Sequence, residues 1–115
     1  MVVLFDHGTP KGLIRALPGH TVYTAQSKGW GTLSNGALLD AAEEAGFEVL
    51  LTTDRGIRYQ QNLRARRIAL VVLTGSTKWS RVRQHAARIA AAVASAKPGS
   101  YGEVEIPFEP RPDGV

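Results

Sequence analysis

The sequence predicts an α/β protein, a three-layer α/β/α sandwich around a mostly parallel central sheet of about five strands. Short runs of apolar and β-branched residues alternate with segments of helical periodicity along the 115 residues, which is the pattern of strand–helix–strand units. Residues 68–73 are apolar at every position, as expected for a central parallel strand that helices cover on both faces.

The first half of the chain contains three predicted strands and two predicted helices. The strands are expected at 2–6, 21–25 and 48–54, and the helices at 11–17 and 35–45. Pro10 suits the start of the first helix, because a proline lacks only an N–H that has no partner there. Ser34 is a natural N-cap for the second helix, and Gly46 is a natural end for it.

The second half is predicted to hold a strand at 68–73, a long helix at 78–97 and a last strand at 102–108. In the long helix, Val82, Ile89 and Val93 fall on one face. A short helix is predicted at 59–64. The last seven residues contain two prolines and a glycine and are predicted to be a flexible tail, so the single domain is expected to span residues 1–108.

Composition limits the classes of function. The chain has no cysteine, which excludes disulfides and thiolate metal sites. No signal peptide and no run of 18 apolar residues is evident, so we expect a cytoplasmic protein that does not enter a membrane. The 14 Lys and Arg residues outnumber the 10 Asp and Glu residues, for a net charge of +4, which permits binding to nucleic acid or to an acidic partner.

Two predicted strands end on a carboxylate, Asp6 and Asp54. The carboxyl ends of parallel strands lie at one edge of a sheet, where open α/β proteins bind their ligands. We therefore expect the two side chains to lie close together and to form part of a site. The alternative is that each caps neighbouring backbone N–H groups and has no other role.

Three segments resemble a known family. They are Asp6-His7-Gly8-Thr9-Pro10 after the first strand, Leu33-Ser34-Asn35-Gly36-Ala37-Leu38-Leu39 at the start of the second helix, and Val49-Leu50-Leu51-Thr52-Thr53-Asp54 in the third strand. Together they resemble the small bacterial PIN-like proteins, which are related to the PIN (PilT N-terminus) nucleases. The resemblance covers the first three predicted strands and extends to the fourth, and the last helix and strand fit by topology alone.

The resemblance implies a strand order of 3-2-1-4-5 and an acidic cluster that binds Mg²⁺ or Mn²⁺ and cleaves single-stranded RNA. It also implies a homodimer and, in many relatives, a toxin that a small antitoxin protein neutralises. Asp6 and Asp54 match the carboxylates of strands one and three, which makes them the expected metal ligands. Asn35 stands where relatives often have an acidic residue. The resemblance therefore implies Asp6, Asp54 and Asn35 as catalytic residues, with one ion rather than two.

Further candidates flank these residues. The stretch after Asp54 is rich in arginine and polar residues and contains no acid, so it is expected to contact RNA phosphates and bases. The RNA-binding candidates are Arg55, Arg58, Tyr59, Gln60, Asn62 and Arg64. A solvated polar loop is the alternative. His7 is a candidate ligand or acid/base because it adjoins Asp6, and Ser34 is included as the neighbour of Asn35.

Two other functions remain open from the sequence. One is a PIN-like module that has lost catalysis and binds RNA or a partner protein, which Asn35 favours. The other is a receiver-like phosphoacceptor domain, because Asp54 ends strand three and Thr74 ends strand four. That class expects an acidic pair after strand one and a lysine after the last strand. The chain has only Asp6 at the first position and no lysine at the second.

Overall fold

The computed structural model describes residues 1–57 and 65–108, and the helix predicted at 59–64 and the tail predicted at 109–115 lie outside these residues. Five strands form one sheet in which every neighbouring pair is parallel. The strands are β1 (Val2–Phe5), β2 (Thr21–Thr24), β3 (Val49–Thr52), β4 (Ala69–Gly75) and β5 (Tyr101–Ile106). The predicted α/β class and the largely parallel sheet are confirmed.

The order across the sheet is β2-β1-β3-β4-β5, and the expected order 3-2-1-4-5 is therefore not observed. The chain leaves β1 for β2 on one side, returns past β1, and continues as β3 on the other side of it. Because β3 pairs directly with β1, these two strands are the point at which the direction of winding reverses. In doubly wound sheets the ligand crevice lies at this switch point, outside the carboxyl ends of the strands.

Among the described residues, three helical regions connect the strands, and two differ from the predicted helices. Lys11–Ala16 is a 3₁₀ helix, here η1, and Asn35–Glu44 is the α-helix α1. The helix predicted at 78–97 is instead α2 (Trp79–Val82), a 3₁₀ turn η2 (Arg83–His85) and α3 (Ala86–Ala94). The side-chain amide of Gln84 donates to the Ser80 carbonyl at 3.0 Å. An α-helix would offer that carbonyl to the Gln84 backbone N–H, so the side chain competes with the helix at the break.

Two buried clusters, one on each face of the sheet, define three layers. Alternate strand residues such as Phe5 and Leu51 pack against η1 and the helical segment 79–94. The intervening residues, such as Leu4 and Leu50, pack against α1. This alternation follows from the twofold periodicity of a strand. Within the described part of the chain, no helix is long and apolar enough to cross a membrane.

The two helical layers differ in charge. The layer formed by η1 and segment 79–94 is called the basic layer, because no Asp or Glu occurs in residues 7–39 or 55–102. Its cationic residues are Lys11, Arg15, Lys78, Arg81, Arg83 and Arg88. The opposite layer carries the carboxylates of Asp40, Glu43 and Glu44 on α1. The helices of the two layers thus differ in the sign of their charged residues.

The two edges of the sheet are formed by β2 and β5. At the end of β2, the Thr24 N–H donates to Ser27 Oγ at 3.3 Å, and the Thr24 carbonyl accepts from Ser27 Oγ at 2.8 Å and from the Lys28 N–H at 3.3 Å. In β5, Val104 and Ile106 are buried, whereas Glu103 and Glu105 are exposed.

Candidate functional site at the switch point

Asp6 and Asp54 lie at the carboxyl ends of β1 and β3, the two strands of the switch point. The Asp6 N–H donates to the Leu51 carbonyl at 3.0 Å, which extends the β1–β3 ladder by one residue. The loops that follow also touch, since a Cβ added to Gly8 would lie 2.5 Å from Thr53 Oγ1. The described residues therefore bring together the two carboxylates that the sequence singled out.

A single buried hydroxyl joins the two aspartates. Thr52 is fully buried at the end of β3. Its Oγ1 donates to Asp6 Oδ2 at 2.8 Å and accepts from the Asp54 N–H at 3.0 Å. Thr52 was not among the predicted site residues, because a β-branched residue in an apolar run is typical of an ordinary strand. The available signal was a hydroxyl in an otherwise apolar strand, two residues before a carboxylate.

Asn35 holds the side chain of Asp54. Ser34 is the N-cap of α1, as predicted, and its Oγ accepts from the Ala37 N–H at 3.4 Å. This places Asn35 at the first position of the helix, where its Nδ2 donates to Asp54 Oδ2 at 2.7 Å. The other oxygen, Asp54 Oδ1, accepts from the Gly56 N–H at 2.9 Å. Both oxygens of Asp54 are therefore oriented by protein donors.

The loop after β1 positions Asp6 and His7. The His7 N–H donates to Asp6 Oδ1 at 2.7 Å. The exposed imidazole of His7 is joined through Nδ1 to Gln26 Nε2 at 3.0 Å, on the loop after β2. Thr9 fixes the start of the next turn, because its buried hydroxyl donates to the Leu51 carbonyl at 2.9 Å. His7 is thus held at the rim of the site beside Asp6.

The donor set fits one hard divalent cation better than two. Each of the four carboxylate oxygens accepts one hydrogen bond and retains a lone pair for a further ligand. Mg²⁺ is commonly held by one or two carboxylates, with water completing its octahedron. In residues 1–57 and 65–108, no group of three or more Asp, Glu or His side chains is arranged to hold a metal ion. The described residues at the switch point supply two carboxylates, Asp6 and Asp54.

Comparisons with known proteins do not identify the chain. No family model, curated protein or solved structure matches it. The PIN-like resemblance therefore stays a prediction from the three segments quoted above. Any function must be argued from the geometry of the strand ends.

Of the predicted RNA-binding residues, only Arg55 falls within the described residues. It is exposed and lines an open cavity of about 410 Å³ at the carboxyl ends of β4 and β5, together with Thr74, Glu105 and Phe108. Arg58, Tyr59, Gln60, Asn62 and Arg64 lie outside the described residues. Arg55 therefore lies on the same edge of the sheet as the aspartates, on the side toward β5.

A second cavity, of about 280 Å³, lies at the opposite, amino-terminal edge of the sheet. Glu43 and Glu48 line it, and both make structural hydrogen bonds. The Val2 N–H donates to Glu48 Oε1 at 3.0 Å, and the Arg67 N–H donates to Glu43 Oε2 at 3.1 Å. These carboxylates secure chain segments, so this cavity is a less suitable place for carboxylate chemistry than the switch point.

Arg66 joins the segment before β4 to α1 through ion pairs. Its guanidinium contacts Asp40 Oδ1 at 2.7 Å and Glu43 Oε1 at 3.0 Å, and its side chain is only 16% exposed. Burial alone would lower the pKa of Arg66, but the hydrogen bonds and charges of Asp40 and Glu43 raise it above its ordinary value. Arg66 thus has a structural role, unlike the neighbouring arginines that were predicted to contact phosphates.

Proposed function

We propose that the protein is a metal-dependent endoribonuclease that acts on single-stranded RNA, with one Mg²⁺ or Mn²⁺ ion held by Asp6 and Asp54. The observation that carries the proposal is the pair of carboxylates on adjacent strand ends, where the Thr52 hydroxyl joins the Asp6 carboxylate to the Asp54 backbone N–H. The resemblance to PIN-like nucleases supplies the substrate class. A small antitoxin partner and a homodimer belong to the same proposal.

Each residue has a defined task in this mechanism. Thr52 and Asn35 hold the two carboxylates in fixed orientations before any ligand binds, and such partners of metal ligands strengthen binding by restricting the ligand geometry. When bound, the divalent ion supplies positive charge to the phosphodiester and promotes ionisation of water. His7, exposed at the rim, is placed to exchange a proton with the substrate or leaving group.

A second candidate is a PIN-like module that binds RNA or protein without catalysis. Two observations favour it: Asn35 replaces a third carboxylate, and every oxygen of Asp6 and Asp54 already accepts a protein hydrogen bond. Two-metal phosphodiester hydrolysis normally relies on more acidic ligands than this pair.

The receiver-like alternative is favoured by one observation, the strand order β2-β1-β3-β4-β5, which is the flavodoxin-like order. Against it, no lysine follows β5 in the sequence. Incubation with acetyl phosphate followed by mass spectrometry tests it directly. A phosphorylated Asp54 peptide would support the receiver reading, and an unmodified protein would exclude it.

The nuclease proposal is tested with a labelled single-stranded RNA in Mn²⁺, in Mg²⁺ and in EDTA. We expect cleavage only with metal, and its loss in Asp6→Asn and Asp54→Asn. Glu44→Gln is the matched control, because it removes one carboxylate from an exposed position on α1. Cleavage that persists in the two aspartate variants would refute the assignment, since it would come from another site or from a contaminant.

Metal binding is measured separately from cleavage. Mn²⁺ should raise the melting temperature of the wild-type protein and of Glu44→Gln but not of the two aspartate variants, because a ligand stabilises only the state that binds it. Stabilisation by Mn²⁺ without cleavage would favour the binding module. An unchanged melting temperature in the wild-type protein would argue against a metal site.

A further inference from the structure

Trp79 is a partly exposed aromatic residue whose indole packs against η1. It is the first residue of α2, and 43% of its surface is exposed. A Cβ added to Gly12 would lie 2.5 Å from Trp79 Cζ2 and 2.6 Å from Cη2. The indole therefore rests directly on the backbone of η1, in space that any other side chain at position 12 would fill. Its orientation is set while much of its surface remains open to solvent.

Basic residues flank Trp79 and Gly12 on their helical segments. Residues three apart on a 3₁₀ helix lie on the same side, so Arg15 lies on the face of η1 that carries Gly12. Residues four apart on a helix are neighbours, so Arg83 lies beside Trp79. Lys11 adjoins Gly12 in the chain, and Lys11, Arg15 and Arg83 are exposed residues. Neither η1 nor segment 79–94 contains an Asp or a Glu.

We propose that the basic layer binds a single strand of nucleic acid, with Trp79 as the surface on which one base stacks. Proteins that bind single strands combine a positive surface for the backbone with aromatic rings for the bases, and a charged polymer is the partner that this one-signed layer complements. The identity of the strand as RNA rests on the proposed function.

This surface continues to the strand ends. Lys11, next to Gly12, lines a small cleft together with Asp6, His7 and Thr9. A strand stacked on Trp79 therefore reaches the Asp6 carboxylate by way of Lys11, without crossing the acidic layer of α1. The proposal thus assigns an approach path to the candidate site.

Intrinsic fluorescence tests the stacking directly. The chain has two tryptophans, so Trp30→Phe leaves Trp79 as the only indole. We expect a single-stranded oligouridylate, added in EDTA to prevent cleavage, to quench this fluorescence, whereas heparin, which has charge but no bases, should bind with much less quenching. Absence of quenching at saturating RNA would overturn the proposal.

Substitutions separate stacking from charge. Trp79→Ala should weaken oligouridylate binding about tenfold, the lower part of the range for loss of one stacked base, and Trp79→Phe should recover part of it. Gly12→Ala should also weaken binding, because its methyl group displaces the indole without deleting it. Equal affinity in Trp79→Ala and wild-type protein, with unchanged circular dichroism, would overturn the proposal.

The charge contribution is read from the salt dependence. Arg15→Gln and Arg83→Gln should each reduce the slope of log affinity against log salt by about 0.7, the value for one lost contact to a single strand. Lys28→Gln, a lysine outside the basic layer that lies 4.9 Å from the Tyr23 ring, should leave the slope unchanged. Equal slopes in all three variants would refute the role of the basic layer.

The outcomes distinguish this inference from the nuclease proposal. Binding that depends on Trp79 without any metal-dependent cleavage would support the inference and count against the nuclease. Cleavage that requires Asp6 and Asp54 but has the same KM in Trp79→Ala would do the reverse. Self-association of the RNA-free protein that Trp79→Ala abolishes would assign the indole to a protein interface and overturn the inference.

Discussion

Replacement of Thr52 by valine tests whether the bridge between the aspartates stabilises the fold. The two side chains have nearly the same shape, so the fully buried site is neither emptied nor crowded. Two hydrogen bonds are lost, one of 2.8 Å to Asp6 Oδ2 and one of 3.0 Å from the Asp54 N–H. We assign about 1 kcal/mol to each, because both partners are partly exposed and water replaces some of the loss.

The expected fall in unfolding free energy is therefore about 2 kcal/mol. For a domain of this size it corresponds to a decrease in melting temperature of about 8 °C. Urea denaturation and calorimetry of Thr52→Val measure both values. Thr52→Ser is the matched control, because it keeps the hydroxyl and removes one buried methyl group, at a cost of about 1 kcal/mol.

The same substitution separates the bridge from general packing. In a double-mutant cycle with Asp6→Ala, we expect a coupling of about 1 kcal/mol between Thr52 and Asp6, as for residues in direct contact. Affinity for Mn²⁺ should also fall by about tenfold in Thr52→Val, since the Asp6 carboxylate loses its orienting donor. A Thr52→Val protein as stable as Thr52→Ser, with negligible coupling, would refute this reasoning.

Three further predictions concern α1 and the sheet. Asn35→Asp should lower the unfolding free energy by about 2 kcal/mol in EDTA, because a carboxylate would replace the amide that donates to Asp54. Mn²⁺ should raise the melting temperature of this variant more than that of the wild type. Equal increases would contradict this. Gly75→Ala should lower the unfolding free energy by more than about 2 kcal/mol in urea denaturation, because Gly75 has φ +84° and its added methyl group would collide with a β5 carbonyl oxygen. Gly102→Ala is the control. Its methyl group would meet no atom within 4 Å, so it should change the unfolding free energy by less than about 1 kcal/mol. Arg66→Gln should lower the unfolding free energy by about 1 to 2 kcal/mol in urea denaturation through its two lost carboxylate partners. An unchanged unfolding free energy would contradict this.

The juxtaposition of Asp6 and Asp54 was predictable because it needs only two parallel strands that both end on a carboxylate. Asn35 was included through the resemblance to PIN-like proteins, whereas the N-cap at Ser34 predicted only where α1 begins. The placement of both carboxylates at one edge of a parallel sheet holds whatever the order of the strands. The bridge through Thr52 was not predictable by that route, since it requires β1 and β3 to be immediate neighbours.

Strand order depends on contacts between distant parts of the chain, and the helix break involves a local hydrogen bond that apolar spacing does not reveal. The sequence contains no local signal that β3 returns to the side of β1 opposite β2. The interruption at Gln84 likewise depends on a side chain competing with its own helix, in a segment whose apolar residues keep helical spacing. The spacing correctly indicated which of these residues are buried, among them Val82, Ile89 and Val93, but not the local hydrogen bonding.

The two sheet edges have a consequence for how copies of the chain meet. Growth of a sheet from one molecule to the next needs open backbone groups on an edge strand. At β2 the turn of residues 24–28 already occupies the amide and the carbonyl of Thr24. At β5, a second copy would bring its exposed Glu103 and Glu105 toward the same residues of the first, and like charges on paired strands repel. At these positions, pairing of two copies through either edge strand is therefore disfavoured.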